Sequence, residues 1–261
     1  MLKFALSLLF FLLFFLSFTA QEAPAQIVDL QSEVNKKIEP GFSGALAGSW
    51  DRRTGNTDIK TKSMSGLLRY RHHTPETVLF LYSKEDGEKD GDTFIDNKFL
   101  HLRYRWNISD FFTWEIFVQK DWDEFRGYQS RDVMGAGPLL KWQDKDDFTF
   151  YTGLAYMYEY EKLLTHNDQG ERDRNEAERW SLAVLYNQQW LPGVNVNFSA
   201  YYQPDVYHKA RHRTIINYGW SFDITQAIAY NFTGYSATNT NPAPGVAKVS
   251  EQYKHGLKWV F

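Results

Sequence analysis

The sequence has no cysteine. That excludes disulfides, thiolate catalysis and a lipid-modified N-terminal cysteine. It also has no excess of either charge: 29 Lys and Arg stand against 32 Asp and Glu in 261 residues, a formal net charge of −3. Such a balance gives no sign of a nucleic-acid partner. Beyond residue 18 there is no apolar run approaching the roughly twenty residues of a spanning helix, so the bulk of the chain is too polar for a helical membrane protein.

The one long apolar run lies at the start. "MLKFALSLLFFLLFFLSFTAQEAPAQ" sets one Lys before an apolar stretch from Phe4 to Phe18, then small and polar residues, the three-part layout of a secretory signal. Ala23-Pro24-Ala25 has the small-x-small pattern that favours cleavage after Ala25. Residues 1–25 are therefore read as a signal peptide, 26–40 as a short periplasmic lead and 41–261 as the folded domain. Removing Lys3 and Glu22 together leaves the net charge at −3.

After about residue 40 the chain becomes a series of short alternating segments. In "FLHLRYRWNI", Leu100, Leu102, Tyr104, Trp106 and Ile108 share one face, and His101, Arg103, Arg105 and Asn107 the other. "FTWEIFVQKDW" and "VNVNFSAYY" alternate in the same way, as strands with one greasy and one wet face. About twelve such segments fall near 42–52, 59–72, 77–85, 97–108, 111–124, 131–143, 147–162, 178–190, 194–207, 213–224, 227–238 and 250–261. Tight connections ("HTPE", "SD", "DKD", "PG", "TQ") alternate with longer polar ones ("DGEKDGDTFIDN", "THNDQGERDRNEA", "TNTNPAPGVAK"); the first outer connection, "RTGNTD", is the short exception. Short turns at one end and long loops at the other is the layout of an outer-membrane barrel.

Aromatics make up 17% of the chain and sort into two groups. Trp106, Trp114, Trp142, Phe148, Trp190, Phe222 and Trp259 fall near the short-turn ends, and Trp50, Tyr82, Trp122, Tyr158, Trp180 and Tyr253 near the other. Two belts are what a barrel needs where its wall meets the lipid headgroups. The chain finishes "YKHGLKWVF", in which Tyr253, His255, Leu257, Trp259 and Phe261 share a face. Lys254, Gly256, Trp259 and Phe261 fit a polar-x-Gly-x-x-aromatic-x-aromatic pattern that resembles the C-terminal insertion signal of bacterial outer-membrane proteins. The expected fold is all-β: a transmembrane antiparallel β-barrel of about 12 strands, closed by the C-terminal strand.

"SGALAGSWDRRTGNTD", "KFLHLRYRWNISDFFTWEIFVQKDWDEFRGYQSRDVMGAG" and "YTGLAYMYEYEKL" resemble the salt-induced outer-membrane proteins grouped as domain of unknown function 481. The resemblance rests on Gly55-Asn56-Thr57-Asp58, Arg103-Tyr104-Arg105, Trp114-Glu115, Arg131 with Gly135 and Gly137, and Tyr158-Glu159. It covers roughly residues 43–163, with Thr54 where the family more often has Ser, and beyond that shares only the strand rhythm. It implies an outer-membrane barrel and no established activity.

Strand parity gives the candidate pore-lining set: Arg69, Arg71, His101, Arg103, Arg105, Glu115, Arg131, Glu159, Lys254 and Lys258. Lys141, Arg179 and Arg213 follow the same parity, as do the acids Asp121, Asp123, Glu161, Asp205 and Asp223. The bases gather towards the twelfth, second and fourth segments and the acids towards the fifth and seventh, so a transverse field with an anion-favouring wall is expected. A twelve-stranded sheet closes at a backbone radius of about 12 Å, enough for a narrow channel or a lumen bridged shut by long side chains.

The leading expectation is a small porin-like channel passing ions or small polar solutes, with a non-conducting barrel of salt-bridged lumen as the alternative. A rim-site hydrolase would have to use His166 with Asp168, His208 and His212 with Asp205, or Asp121 with Asp123, none at a distinctive spacing. No catalytic residue, metal or cofactor is assigned. Expected partners are outer-membrane lipid and lipopolysaccharide, with the basic "HKARHR" loop near its phosphates, and periplasmic chaperones and barrel-assembly machinery during biogenesis. The expected location is the bacterial outer membrane, reached through the periplasm.

Overall fold

The computed structural model describes residues 40–53, 59–73, 76–89, 92–166 and 170–260. The proposed signal segment, most of the periplasmic lead, the "GNTD" loop, Asp168 and Phe261 lie outside them. Twelve strands form in chain order: β1 (Gly41–Arg53), β2 (Ile59–Arg71), β3 (Glu76–Lys89), β4 (Asp92–Asn107), β5 (Phe112–Asp123), β6 (Tyr128–Asp144), β7 (Phe148–His166), β8 (Arg172–Leu191), β9 (Val194–Pro204), β10 (His212–Asp223), β11 (Ile228–Asn239) and β12 (Val249–Val260). Each pairs antiparallel with its neighbours in sequence, and β12 pairs with β1, so the sheet is a closed barrel.

Period-two alternation sets which side faces out. On adjacent strands Leu68, Phe80, Leu102, Ile116, Met134, Leu154 and Leu182 are all exposed outward. In water so continuous an apolar band would be a heavy liability, whereas lipid accepts it. Trp106, Trp114, Trp142, Trp190, Phe222 and Trp259 are exposed near the short-turn ends; Trp50, Trp180 and Tyr253 are exposed near the opposite ends. Tyr253, His255, Leu257 and Trp259 share the outward face of β12, as their spacing predicts.

Two of the expected long loops are instead strand. β3 runs to Lys89 and β4 begins at Asp92; β7 runs to His166 and β8 begins at Arg172. Their polarity reflects water on both faces, and cross-strand polar pairs carry the ladder upward. Tyr158 donates to Glu176 at 2.8 Å, and Asn175 donates to Glu161 at 2.8 Å. The β11–β12 connection remains a loop.

The closing seam pairs Ala45–Gly48 with Leu257–Val260, a short register beside that of β11 with β12. Two features reinforce it. The Lys254 ammonium donates to Glu85 at 3.0 Å and the Gln252 amide to the same carboxylate at 2.8 Å, so β12 is tied to β3 across the inside of the seam. At Gly256 a Cβ would stand 2.6 Å from the Gly48 carbonyl oxygen, a contact that only glycine escapes.

Candidate functional site

The expected pore-lining residues all fall on the inward face. Arg69, His101, Arg131, Glu159, Lys254 and Lys258 are buried, and Arg71, Arg103, Arg105 and Glu115 are half-buried. Asp121, Asp123, Glu161, Arg179 and Asp205 are buried as well, while Asp223 is exposed at the short-turn end of β10 because the strand stops there. Arg69 donates to Ser43 at 3.1 Å on the neighbouring strand. On β4, Arg105 reaches Glu115 at 2.5 Å and Arg103 reaches it at 3.5 Å. The Arg103 Nε also donates to His101 Nε2 at 3.1 Å, and its guanidinium lies 5.6 Å from the centre of the Phe117 ring. His101 is stacked between Phe99 and Phe117, each 6.0 Å away.

Nearer the outer end, three arginines converge on one carboxylate. Glu159, wholly buried, lies 2.5 Å from Arg131, 2.5 Å from Arg213 and 3.4 Å from Arg179. Arg213 also reaches Glu161 at 2.6 Å, and Arg131 reaches Asp121 at 2.9 Å. The expected transverse field is therefore largely cancelled locally, because the acids of β5 and β7 are matched by arginines of β6, β8 and β10. Burying such charges is tolerable only as a fully hydrogen-bonded set.

A second set of contacts crosses the lumen beside this network. A single 3-10 turn, Glu124–Arg126, joins β5 to β6, capped by Asp123, whose carboxylate accepts from the Arg126 backbone N–H at 3.1 Å. Gly127 follows at φ 78°, a left-handed conformation that glycine adopts freely. A Cβ there would stand 2.7 Å from Val246 and 2.9 Å from Ala243, so the β11–β12 loop packs directly on this turn. From it Arg126 donates to the Tyr235 hydroxyl at 2.8 Å, with its guanidinium 5.4 Å from the Tyr235 ring centre.

Beside the bridge lie an outer cavity of about 80 Å³ and an inner one of about 190 Å³, and Arg126, Arg131, Ile215 and Tyr235 line both. The inner chamber is unexpectedly apolar for a pore, with Leu79, Leu139 and Leu185 among its walls. Sequence reasoning missed Arg126, Tyr235 and Glu85. Arg126 sits in a connection, where alternation gives no facing; Tyr235 and Glu85 follow strand parity, so that signal could have found them.

Among the described residues the rim candidates do not assemble a reaction centre; the pairing of His166 with Asp168 falls outside them. His208 Nδ1 lies 3.5 Å from Asp205, but that carboxylate accepts the backbone N–H groups of Tyr207 and His208 at 2.9 and 2.8 Å, which makes it a loop anchor. His212 points outward against Tyr202, with ring centres 5.3 Å apart. Asp121 and Asp123 are occupied by Arg131 and Arg126. Among the described residues, no group of three or more His, Asp or Glu side chains is placed to hold a metal ion.

A closed antiparallel barrel with a lipid-compatible outer face and a polar network inside defines an outer-membrane β-barrel protein. The chain belongs to the family described as "Protein of unknown function, DUF481", which matches residues 48–261 and so includes the half where the sequence resemblance carried only strand rhythm. No curated protein matches the sequence. Among solved structures, the NanC porin is 12% identical, with a TM-score of 0.51, covering 84% of this chain and 99% of its own. The translocator domain of the autotransporter NalP from Neisseria meningitidis is 10% identical, with a TM-score of 0.48, covering 90% and 93%. The KdgM porin is 10% identical, with a TM-score of 0.41, covering 84% and 99%. At such identities the NanC likeness speaks for the fold alone.

Proposed function

We propose that this barrel is a small, constricted, porin-like channel for ions or small polar solutes, biased towards anions. The observation that carries this reading is that two cavities lie along the inside of the barrel and the guanidinium groups of Arg126 and Arg131 line both. Arg103 and Arg105, on the inward face of β4 around Glu115, add two guanidinium groups to the wall below. Cations meeting this wall are repelled and anions are drawn in. Export through the periplasm, folding with chaperones and assembly machinery, and contact of the outer loops with lipopolysaccharide phosphates belong to the same reading. No step of it calls for catalysis.

The test is single-channel recording of the refolded mature protein in a planar bilayer under a salt gradient. Steady unitary steps with an anion-selective reversal potential are the expected result, and replacing Arg103 and Arg105 by Ser should move that potential towards cations. A second reading has its own observation: the buried Glu159 network bridges β6, β7, β8 and β10. A barrel that inserts and migrates as folded yet passes no current would favour this non-conducting form.

A further inference from the structure

Two connections at the outer end of the barrel meet although they are far apart in the sheet. In the ring of twelve strands the β5–β6 turn and the β11–β12 connection lie on opposite sides. A Cβ at Gly127, which ends the β5–β6 turn, would stand 2.7 Å from Val246 Cγ2 and 2.9 Å from Ala243 Cβ, both in the β11–β12 connection. Contact between opposite connections has to cross the mouth. The reach is there: nine residues, 240–248, join β11 to β12, and half of them extended span about 15 Å, against a backbone radius of about 12 Å. Pro242, Ala243, Val246 and Ala247 accordingly line the outer cavity, together with Arg131 and Tyr235 from the strands.

This connection is built in two parts. Its base is fixed: the Thr240 hydroxyl donates to the Ala210 carbonyl oxygen at 3.0 Å and accepts the His212 backbone N–H at 2.8 Å, and the Asn239 N–H donates to the Lys248 carbonyl oxygen at 2.8 Å. Its tip is a preformed turn, in which the Val246 N–H donates to the Ala243 carbonyl oxygen at 3.1 Å around Pro244 and Gly245, the latter at φ 80°. The seat under the tip is small and apolar, two short side chains against a glycine. Such contact is non-directional, and parting it strands no buried charge. We propose that residues 242–247 are a lid over the outer mouth, which lifts from the β5–β6 turn about its fixed base to open the outer cavity.

The lid controls access to the lumen whether or not the barrel passes current. Because the chain has no cysteine, Ala237→Cys places a sole thiol in the outer cavity, beneath the lid. The full mature protein carrying it is refolded into nanodiscs, and its labelling by a small charged methanethiosulfonate is timed. Asn241→Cys, exposed at the base of the same connection, gives the rate for a thiol in open solvent. A lid open about a tenth of the time or less makes the covered thiol react about tenfold or more slowly, yet to completion. Replacing residues 242–247 by Gly-Gly should restore most of that factor. So should Val246→Asp, which keeps the loop length and puts a charge on the apolar seat. Labelling is read on the folded, heat-modifiable band, and the two variants act independently. Equal rates with the lid intact, shortened or charged would overturn the proposal, as would an intact lid beneath which the thiol never reacts, since that is a fixed plug. Current recordings from the same preparations separate the two readings. Lid-dependent labelling of a silent barrel leaves this inference standing while the channel reading falls, and lid-independent labelling of a conducting barrel does the reverse.

Discussion

The Arg126 guanidinium, carried by the turn between β5 and β6, donates to the Tyr235 hydroxyl on β11, 2.8 Å away. In the ring of twelve strands β5 and β11 lie opposite each other, so this one hydrogen bond spans the lumen. Arg126→Ala removes both the span and a positive charge. The expected outcome is unitary conductance raised about twofold or more, with weaker anion selectivity. Tyr235→Phe, which keeps the ring and loses the hydroxyl, should show a smaller rise. Unchanged conductance in both variants would take this bridge out of the permeation path.

Glu159 is the acid on which Arg131, Arg179 and Arg213 converge. Glu159→Gln keeps the shape and leaves three guanidiniums buried around a neutral amide. Breaking a buried ion set from one side costs about 3–5 kcal/mol. The expected readout is a lower urea midpoint and a lower temperature for loss of the compact, heat-modifiable form. Glu176→Gln, on the exposed partner of Tyr158, should move neither by much.

Gly256 tests the seam. Its missing side chain lets β12 lie against Gly48 of β1, where a Cβ would be 2.6 Å from the carbonyl oxygen. Gly256→Val should slow or prevent barrel closure, seen as a rise in the unfolded band on cold electrophoresis after refolding. Gly170, with open space around its Cβ position and a φ of 79°, is the control for an ordinary turn glycine, and Gly170→Ala should cost far less.

Asp205, in the connection after β9, gives a pH prediction. Burial pushes its carboxyl up, but the backbone N–H groups of His208 and Tyr207 and the charge of Arg179 outweigh this and hold it below the usual range. A carboxylate depressed in the folded state stabilises fully above its unfolded value of about 3.9 and loses that stabilisation as pH falls through the lower folded value. The loop should therefore stay protected from amide exchange down to pH 5, after correction for intrinsic rates, and open only in stronger acid. Asp205→Ala should speed tryptic cleavage after Lys209 and Arg211 several-fold at neutral pH.

The strand count and the facing of Arg103, Arg105, Glu115, Arg131 and Glu159 were legible because alternation is a property of each strand alone. The upper parts of β3, β4, β7 and β8 were not: once both faces are wet, strand and loop share a polar composition, and only pairing with the neighbour tells them apart. The acid-rich and base-rich segments were visible too, but not their cancellation, since Arg213 reaches Glu159 and Glu161 from three strands away.

By itself, then, the sequence determined an outer-membrane barrel with a charged interior, because a two-residue period and its turns are local and survive in one dimension. Which charges meet, where the lumen is crossed and where it is lined with leucine were decided by the closed sheet. Closure brings β3 within side-chain reach of β12, β10 within reach of β7, and the β5–β6 turn within reach of β11. Those distances depend on tilt, register and closure together, and no stretch of chain encodes them separately.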